Sequence, residues 1–266
     1  MISGLKAVNS AREFQWGSWQ IIGPRHYFRE KMILNTILKK LKGGKILDVG
    51  CGTGSLLLQL AQHGYQVNGV DMSQECVSRT NELLSAFASA TRSFVKKGNA
   101  EHIDYPDGIF DAVIAAEVLE HLEDDSSAVK EFYRLLKSDG ICLITVPANP
   151  DLWDISDDIA GHKRRYNKED LIRLFNKISF NVESVFYWGF PLLRFYHRFI
   201  FLKLARHVSE KRNGTMSTED TVVRVGFSRW TTAILGNLFR FDNLFKSLPL
   251  GIGILLVARK REKGQA

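Results

Sequence analysis

The sequence predicts a mostly parallel, doubly wound α/β sheet, and three observations carry that prediction. From Lys45 onward, short β-rich runs alternate with helical patterns. The run Ile46-Leu47-Asp48-Val49-Gly50-Cys51-Gly52-Thr53-Gly54 reads as a strand entering a glycine turn and then a helix. Asp71 ends the next apolar run, where such a sheet presents an acid at a strand tip. Alternation of this kind makes the strands parallel, because each crossover helix returns the chain to the same sheet edge.

In chain order, strands are expected at residues 45–49 and 66–70, bracketing a helix from Ser55. Ser73 caps a helical segment reaching about residue 90, with Glu75 near its start. Further strands are expected at 93–97, 111–115 and 141–146. A helix over 126–137, closed by Ser138-Asp139-Gly140, precedes the last of these. Residues 181–187 and 253–259 read as two final strands. The roughly sixty residues between them lack the alternation. They read as a helical insert: 191–207, a polar loop at 209–220, then 228–245.

Before Lys45 the chain is aromatic-rich (Phe14, Trp16, Trp19, Tyr27, Phe28). It then places Met32, Ile33, Ile37, Leu38 and Leu41 at helical spacing, which suits a leading helix over the cofactor cleft. The expected organisation is a helical cap at 1–44, a core at 45–188, a helical aromatic and basic insert at 189–248, and a closing strand with a basic tail at 249–266.

The 266 residues are 45% hydrophobic and 24% charged, the composition of an ordinary globular chain with a full core. Three cysteines, Cys51, Cys76 and Cys142, cannot build a closed disulfide framework, which suits a reducing, cytoplasmic setting. Neither a signal peptide nor an uncharged run long enough to span a bilayer is expected. The net charge of +7 is uneven. Residues 1–188 hold 22 Lys and Arg against 24 Asp and Glu, while residues 189–266 hold 14 against 5. That surplus points to an anionic partner or a solvated basic face.

The glycine spacing is Gly-x-Gly-x-Gly, which departs from the dinucleotide fingerprint Gly-x-Gly-x-x-Gly. Asp48, two residues before Gly50, would repel a pyrophosphate but suits the ammonium of an amino-acid cofactor. That charge argument favours S-adenosylmethionine over a dinucleotide.

With the run ILDVGCGTG, Asp71 and the later GNAEHIDYPDGIFDAVIAAEVLEHLED, the sequence resembles the class I S-adenosylmethionine-dependent methyltransferases over residues 40–190. The resemblance implies a Rossmann-like seven-stranded sheet with an antiparallel last strand and a helical insert before it. It implies that Asp48, Gly50, Cys51, Gly52 and Gly54 form the methionine-side loop. Asp71 would take the ribose hydroxyls, Met72 would pack on the adenine, and Asn99 and Ala100 would meet the adenine edge. Such families often carry Asp where this chain has Asn99, which keeps the hydrogen bonding and loses a charge.

Glu117-Val118-Leu119-Glu120-His121 follows a strand, so it lies at the carboxyl edge of the sheet. Such a cluster can do base chemistry on a substrate hydroxyl, hold a divalent ion, or be structural. His162 adds a second imidazole downstream. The EVLEH…His pattern is similar to that of two metal-using groups, the small-RNA 3′-terminal 2′-O-methyltransferases and the ubiquinone-pathway O-methyltransferases. That likeness implies Glu117, Glu120, His121 and His162 as ligands of a divalent metal (magnesium, manganese or zinc). His121, Glu117 and His162 are the expected catalytic residues, and the alternative for Glu117 is that it faces the cofactor, as the resemblance to metal-free relatives implies. Lys163, Arg164 and Arg165 read either as a phosphate clamp, with Arg165 foremost, or as a basic run paired with nearby acids.

The apolar segment from Phe190 to Lys203, with Arg194, His197 and Arg198 on one helical face, suits an interfacial contact through 190–207, a substrate tunnel, or plain packing. Leu248-Pro249-Leu250-Gly251 is similar to the closing run of a bacterial methyltransferase group assigned to envelope glycan or lipid pathways. The expected activity is therefore O-methylation of a small-molecule or lipid-, isoprenoid- or glycan-linked acceptor. The alternatives are 2′-O-methylation of RNA ends and a non-catalytic cofactor-binding module. Nucleic acid is a weak partner, since no recognised binding module is visible.

Overall fold

The structure, a computed structural model, describes residues 23–87, 94–203, 206 and 229–261. Seven strands form one sheet in the order β3-β2-β1-β4-β5-β7-β6. They are β1 Lys45–Val49, β2 Gln66–Asp71, β3 Phe94–Lys97, β4 Phe110–Ala116, β5 Leu136–Pro147, β6 Phe180–Trp188 and β7 Gly253–Lys260. β1 pairs parallel with both β2 and β4, whereas β7 is antiparallel to both neighbours, β5 and β6. Strand order therefore reverses between β1 and β4, and a ligand crevice is expected outside their carboxyl ends.

The period-two alternation of the strands divides the core into two layers. On one face Ile46, Ile114, Leu143 and Leu255 meet α1 (Pro24–Lys40) and α2 (Ser55–Gln62) through Ile33, Ile37, Leu57 and Leu60. On the other face Leu47, Val113, Ile144 and Leu256 meet α4 (Asp125–Leu135) and α6 (Lys168–Lys177) through Val129, Phe132, Leu171 and Phe175. Between them in sequence lie α3 (Gln74–Phe87) and α5 (Ile155–Ala160). The apolar stripe of α1 buries Phe28, Ile33 and Ile37, each worth about 1.5–3 kcal/mol of transfer free energy.

The insert joins the α1 layer. α7 (Leu192–Tyr196) runs into a π turn, His197–Phe201. α8 (Arg229–Leu238) runs into a 3-10 helix, Phe239–Phe245. Gly236 lets α8 lie against α1, since a Cβ there would come within 2.4 Å of the Tyr27 ring. Asp242, buried in the 3-10 helix, accepts from the Leu192 and Leu193 N–H groups at 2.9 and 3.0 Å and so caps α7. His197 Nε2 meets Asp154 at 2.9 Å, which ties the insert to the core.

Some expectations need correction. The helix read over 126–137 is Asp125–Leu135, and the chain turns directly into β5 at Leu136. Gly140 does not end it. Asp139 takes the left-handed backbone at φ 62°, and β5 starts earlier than the apolar run, with buried Leu136 followed by the exposed Lys137, Ser138 and Asp139. Ser73 Oγ does accept from the Cys76 N–H at 3.3 Å, starting α3. Phe14, Trp16, Trp19, the end of the long helix near residue 90 and the polar loop at 209–220 lie outside the described residues. All three cysteines are buried free thiols. Among the described residues, no helix is long and apolar enough to cross a membrane.

Candidate active site

The glycine turn after β1 is built on left-handed backbone, with φ of 69° at Gly50, 50° at Gly52 and 76° at Gly54. Two of these glycines are required by packing. A Cβ on Gly50 would lie 2.6 Å from Val118 Cγ2, and one on Gly54 would lie 2.3 Å from Thr80 Cγ2. Gly52 differs, because a Cβ there would meet nothing within 4 Å. Its backbone is nonetheless fixed on both sides. The Gly52 N–H donates to Asp71 Oδ2 at 2.8 Å, and Thr80 Oγ1 donates to the Gly52 carbonyl at 2.8 Å. A loop held on both sides whose central residue faces open space leaves room for a group that approaches the backbone closely.

Acids surround this loop. Asp71 also accepts from the Ser73 N–H at 2.9 Å through Oδ1, so each oxygen keeps a lone pair for a ligand. Burial, with Glu30 and Asp71 nearby, pushes the Asp48 carboxyl well up. Glu30 accepts from Ser55 Oγ and from Gln59 Nε2 at the start of α2, where a carboxylate complements the helix dipole. Cys51 is buried, and burial with the Asp48 charge raises its thiol well up. Met72 is 68% exposed beside Asp71, free to cover a flat group. Asn99 Oδ1 accepts from the Glu101 N–H at 3.0 Å, and Ala100 beside it is buried.

The second cluster follows β4, the strand next to β1. Glu117 sits at φ 58°, and a 3-10 turn, Leu119–His121, then carries Glu120 inward. Glu120 is fully buried, and both its carboxylate oxygens lack a hydrogen-bond partner. Burial and the Glu117 charge push its carboxyl well up. His162 Nε2 lies 4.0 Å from Glu120 Oε1, and its ring meets that of His121 edge-on at 4.8 Å. The ligand atoms of Glu120, His121 and His162 all lie within 4.8 Å of one another. Asp157 accepts from His162 Nδ1 at 2.7 Å and is itself held by Arg165 at 2.9 and 2.7 Å. That carboxylate fixes the ring so that Nε2 points at Glu120.

Glu117 stands apart from this trio. Its carboxylate is taken by Arg25 at 3.1 Å, Arg29 at 3.4 Å and the Thr145 hydroxyl at 3.1 Å. Of the two readings of 163–165, the structure bears out the basic run paired with nearby acids and not the phosphate clamp. Lys163 pairs with Glu123, Arg164 with Asp125 and two carbonyls, and the nearly buried Arg165 with Asp157. Arg165 therefore positions His162. The polar face of α1 is the part that sequence reasoning missed. Arg25, His26, Arg29 and Glu30 were hidden beside the apolar stripe, although their one-turn spacing was the available signal.

Residues 25–185 match the methyltransferase domain family. The chain belongs to that family. A ubiquinone biosynthesis O-methyltransferase of Pseudomonas aeruginosa is 38% identical over 116 residues, covering 42% of this chain and 49% of that protein. A ubiquinone/menaquinone biosynthesis C-methyltransferase of Geotalea uraniireducens is 31% identical over 145 residues, covering 49% and 62%. The chain thus spans about half the length of the curated relatives it matches. Among solved structures, the [4+2]-cyclase SpnF superposes with a TM-score of 0.62 at 21% identity, covering 95% of this chain and 88% of that one. A phosphoethanolamine N-methyltransferase of Haemonchus contortus in complex with S-adenosyl-L-methionine gives 0.60 at 20%, covering 88% and 52%. These two likenesses show the shared fold. One neighbour is a cyclase and the other a methyltransferase, so the reaction must be argued from the site.

Proposed function

We propose that this methyltransferase domain transfers a methyl group from S-adenosylmethionine to a hydroxyl oxygen of a small or isoprenoid-linked acceptor. The carrying observation is Gly52, left-handed, held on both sides and facing open space, one strand away from the Glu120–His121–His162 cluster. The residues present fit the cofactor. Asp71 keeps lone pairs for ribose hydroxyls, and the buried, acid-crowded Asp48 gains from an arriving ammonium. The bound sulfonium supplies an electrophilic methyl carbon. His121 would take the acceptor's hydroxyl proton as its oxygen forms the new bond, with the donor's carbon–sulfur bond breaking to leave a neutral thioether. Positioning and exclusion of water do most of the remaining work.

The orphaned carboxylate of Glu120 favours a second mode at the same site. Glu120, His121 and His162 form a donor set that fits a divalent ion such as magnesium, manganese or zinc. An ion held there would act as a Lewis acid on the acceptor oxygens. The relatives that carry ubiquinone-pathway names support a phenolic acceptor with an isoprenoid tail, and the free cysteines suit work in the cytoplasm.

The test is methyl-labelled donor with a prenylated catechol, alongside calorimetry with S-adenosylhomocysteine. His121→Ala is expected to keep its affinity for S-adenosylhomocysteine and to lose about 10²–10⁴-fold in turnover. A wild-type protein that fails to bind S-adenosylhomocysteine overturns the reading. Manganese should raise the wild-type melting temperature and leave that of Glu120→Gln unchanged; no rise in the wild type removes the metal mode alone.

A further inference from the structure

A 3-10 helix has three residues per turn, so side chains three apart eclipse. The sequence of the 3-10 helix Phe239–Phe245 sorts accordingly into three rows. Phe239 and Asp242 form the buried row, continued by half-buried Phe245. Phe241 and Leu244 form an exposed apolar row, with Leu244 72% exposed. Arg240 and Asn243, continued by Lys246, form an exposed polar row. The preceding helix α8 extends the apolar row with Ile234, Leu238 and Trp230, the last 81% exposed.

The polar row does more than face water. With Asn237 it forms one wall of a cavity of about 490 Å³, and α1 contributes Lys31 and Lys39 opposite. Four cations therefore line this cavity, with no carboxylate among its lining residues. Through Phe245, ring contacts also lead from the apolar row to Phe190, just before α7. Phe241 and Phe245 have ring centroids 5.5 Å apart, and Phe245 and Phe190 are 6.1 Å apart. Arg194 donates to the Leu250 carbonyl at 2.9 Å, and exposed Phe195 in α7 and Phe199 in the π turn after it hold their rings tilted with centroids 4.6 Å apart.

Exposed large apolar side chains in a contiguous group mark an interaction surface. The occupant must offer hydrocarbon to one row and negative charge to the row beside it. An anionic phospholipid bilayer offers acyl chains and phosphates within one headgroup's depth of each other. The chain's surplus of 14 cations over 5 acids in residues 189–266 has the matching sign.

We propose that the insert docks on an anionic membrane surface. Phe241, Leu244 and Ile234 enter the acyl boundary, and the cavity walled by Lys31, Lys39, Arg240 and Lys246 receives lipid phosphates. The docking face is thus carried mainly by residues 230–250, and residues 190–199 lie at its edge. This inference does not depend on the methyl-transfer reading, because it uses none of the residues of that site.

The experiment is co-sedimentation of the full chain with vesicles of phosphatidylcholine alone and of equal parts phosphatidylcholine and phosphatidylglycerol. The protein should pellet with the mixed vesicles, much less with the neutral ones, and less again as salt is raised. Arg240→Ala with Lys246→Ala should lower the partition coefficient roughly fivefold per cation, about 25-fold together. Phe241→Ser with Leu244→Ser should lower it by at least about tenfold. Both pairs are exposed and should melt with the wild type; Trp230→Ser with Ile234→Ser serves as a second apolar pair if either melts early. Equal pelleting with both vesicles, none with either, or unchanged partition in the charge or apolar variants overturns the proposal. So does a concentration-dependent dimer abolished by the apolar variants, since a second copy would then cover the row.

Discussion

Replacing Gly52 by Ala separates the cost of a glycine turn from the cost of blocking its ligand. Gly52 sits at φ 50°, where an L-residue with a Cβ costs roughly 1–2 kcal/mol, partly offset by the smaller entropy of the unfolded Ala chain. No atom lies within 4 Å of the added methyl, so no packing cost follows. The expected loss is about 1 kcal/mol, or roughly 2–4 °C in melting temperature for a chain of this size. Gly54→Ala adds overpacking to the same backbone cost, because its methyl would lie 2.3 Å from the fully buried Thr80. That overpacking is worth about 1–3 kcal/mol more, so Gly54→Ala should melt distinctly lower. The ligand effect runs the other way. The Gly52 methyl occupies the space before the loop and should weaken S-adenosylhomocysteine binding by at least about 100-fold, about 2.7 kcal/mol. Thermal melts without ligand and titration calorimetry with S-adenosylhomocysteine read the two quantities separately. Gly52→Ala binding S-adenosylhomocysteine as tightly as the wild type would refute the cradle.

Two further outcomes follow from the insert's attachment. Asp242→Ala removes the acceptor of the Leu192 and Leu193 N–H groups, and should cost about 1–2 kcal/mol and speed hydrogen exchange at those two amides. Burial alone would raise the Asp154 carboxyl, yet His197 and Ser156 together hold it below its ordinary value of 3.8. An acid held down in the fold adds stability that is complete above that ordinary value and lost as pH falls through the folded value. Melts between about pH 6 and about pH 3 should therefore fall more steeply for the wild type than for Asp154→Asn; parallel curves would show that the pair does not link the insert to the core.

Much of the candidate site was legible because its signals are local. Gly50, Gly52, Gly54 and Asp71 sit at fixed offsets from strand ends, and strand ends follow from apolar runs such as 45–49. The register of the EVLEH run after β4 followed the same logic. Roles that depend on contacts across the chain were not legible. The sequence left Arg165 open between a phosphate and a nearby acid, and the left-handed turn at Gly161 decides for Asp157, eight residues earlier. Glu117 belonged in sequence with Glu120, but Arg25 and Arg29 draw it toward α1 from 92 and 88 residues away.

The sequence alone determined the doubly wound sheet, the glycine turn and the polar cluster at its edge, since periodicity and turn chemistry act over a few residues. Only the tertiary structure decided which glycine faces open space, which carboxylate is left without a partner, and which side of the 3-10 helix meets solvent. Those are questions of what fills the space around a side chain. Neighbours distant in sequence fill it, and no local pattern records them.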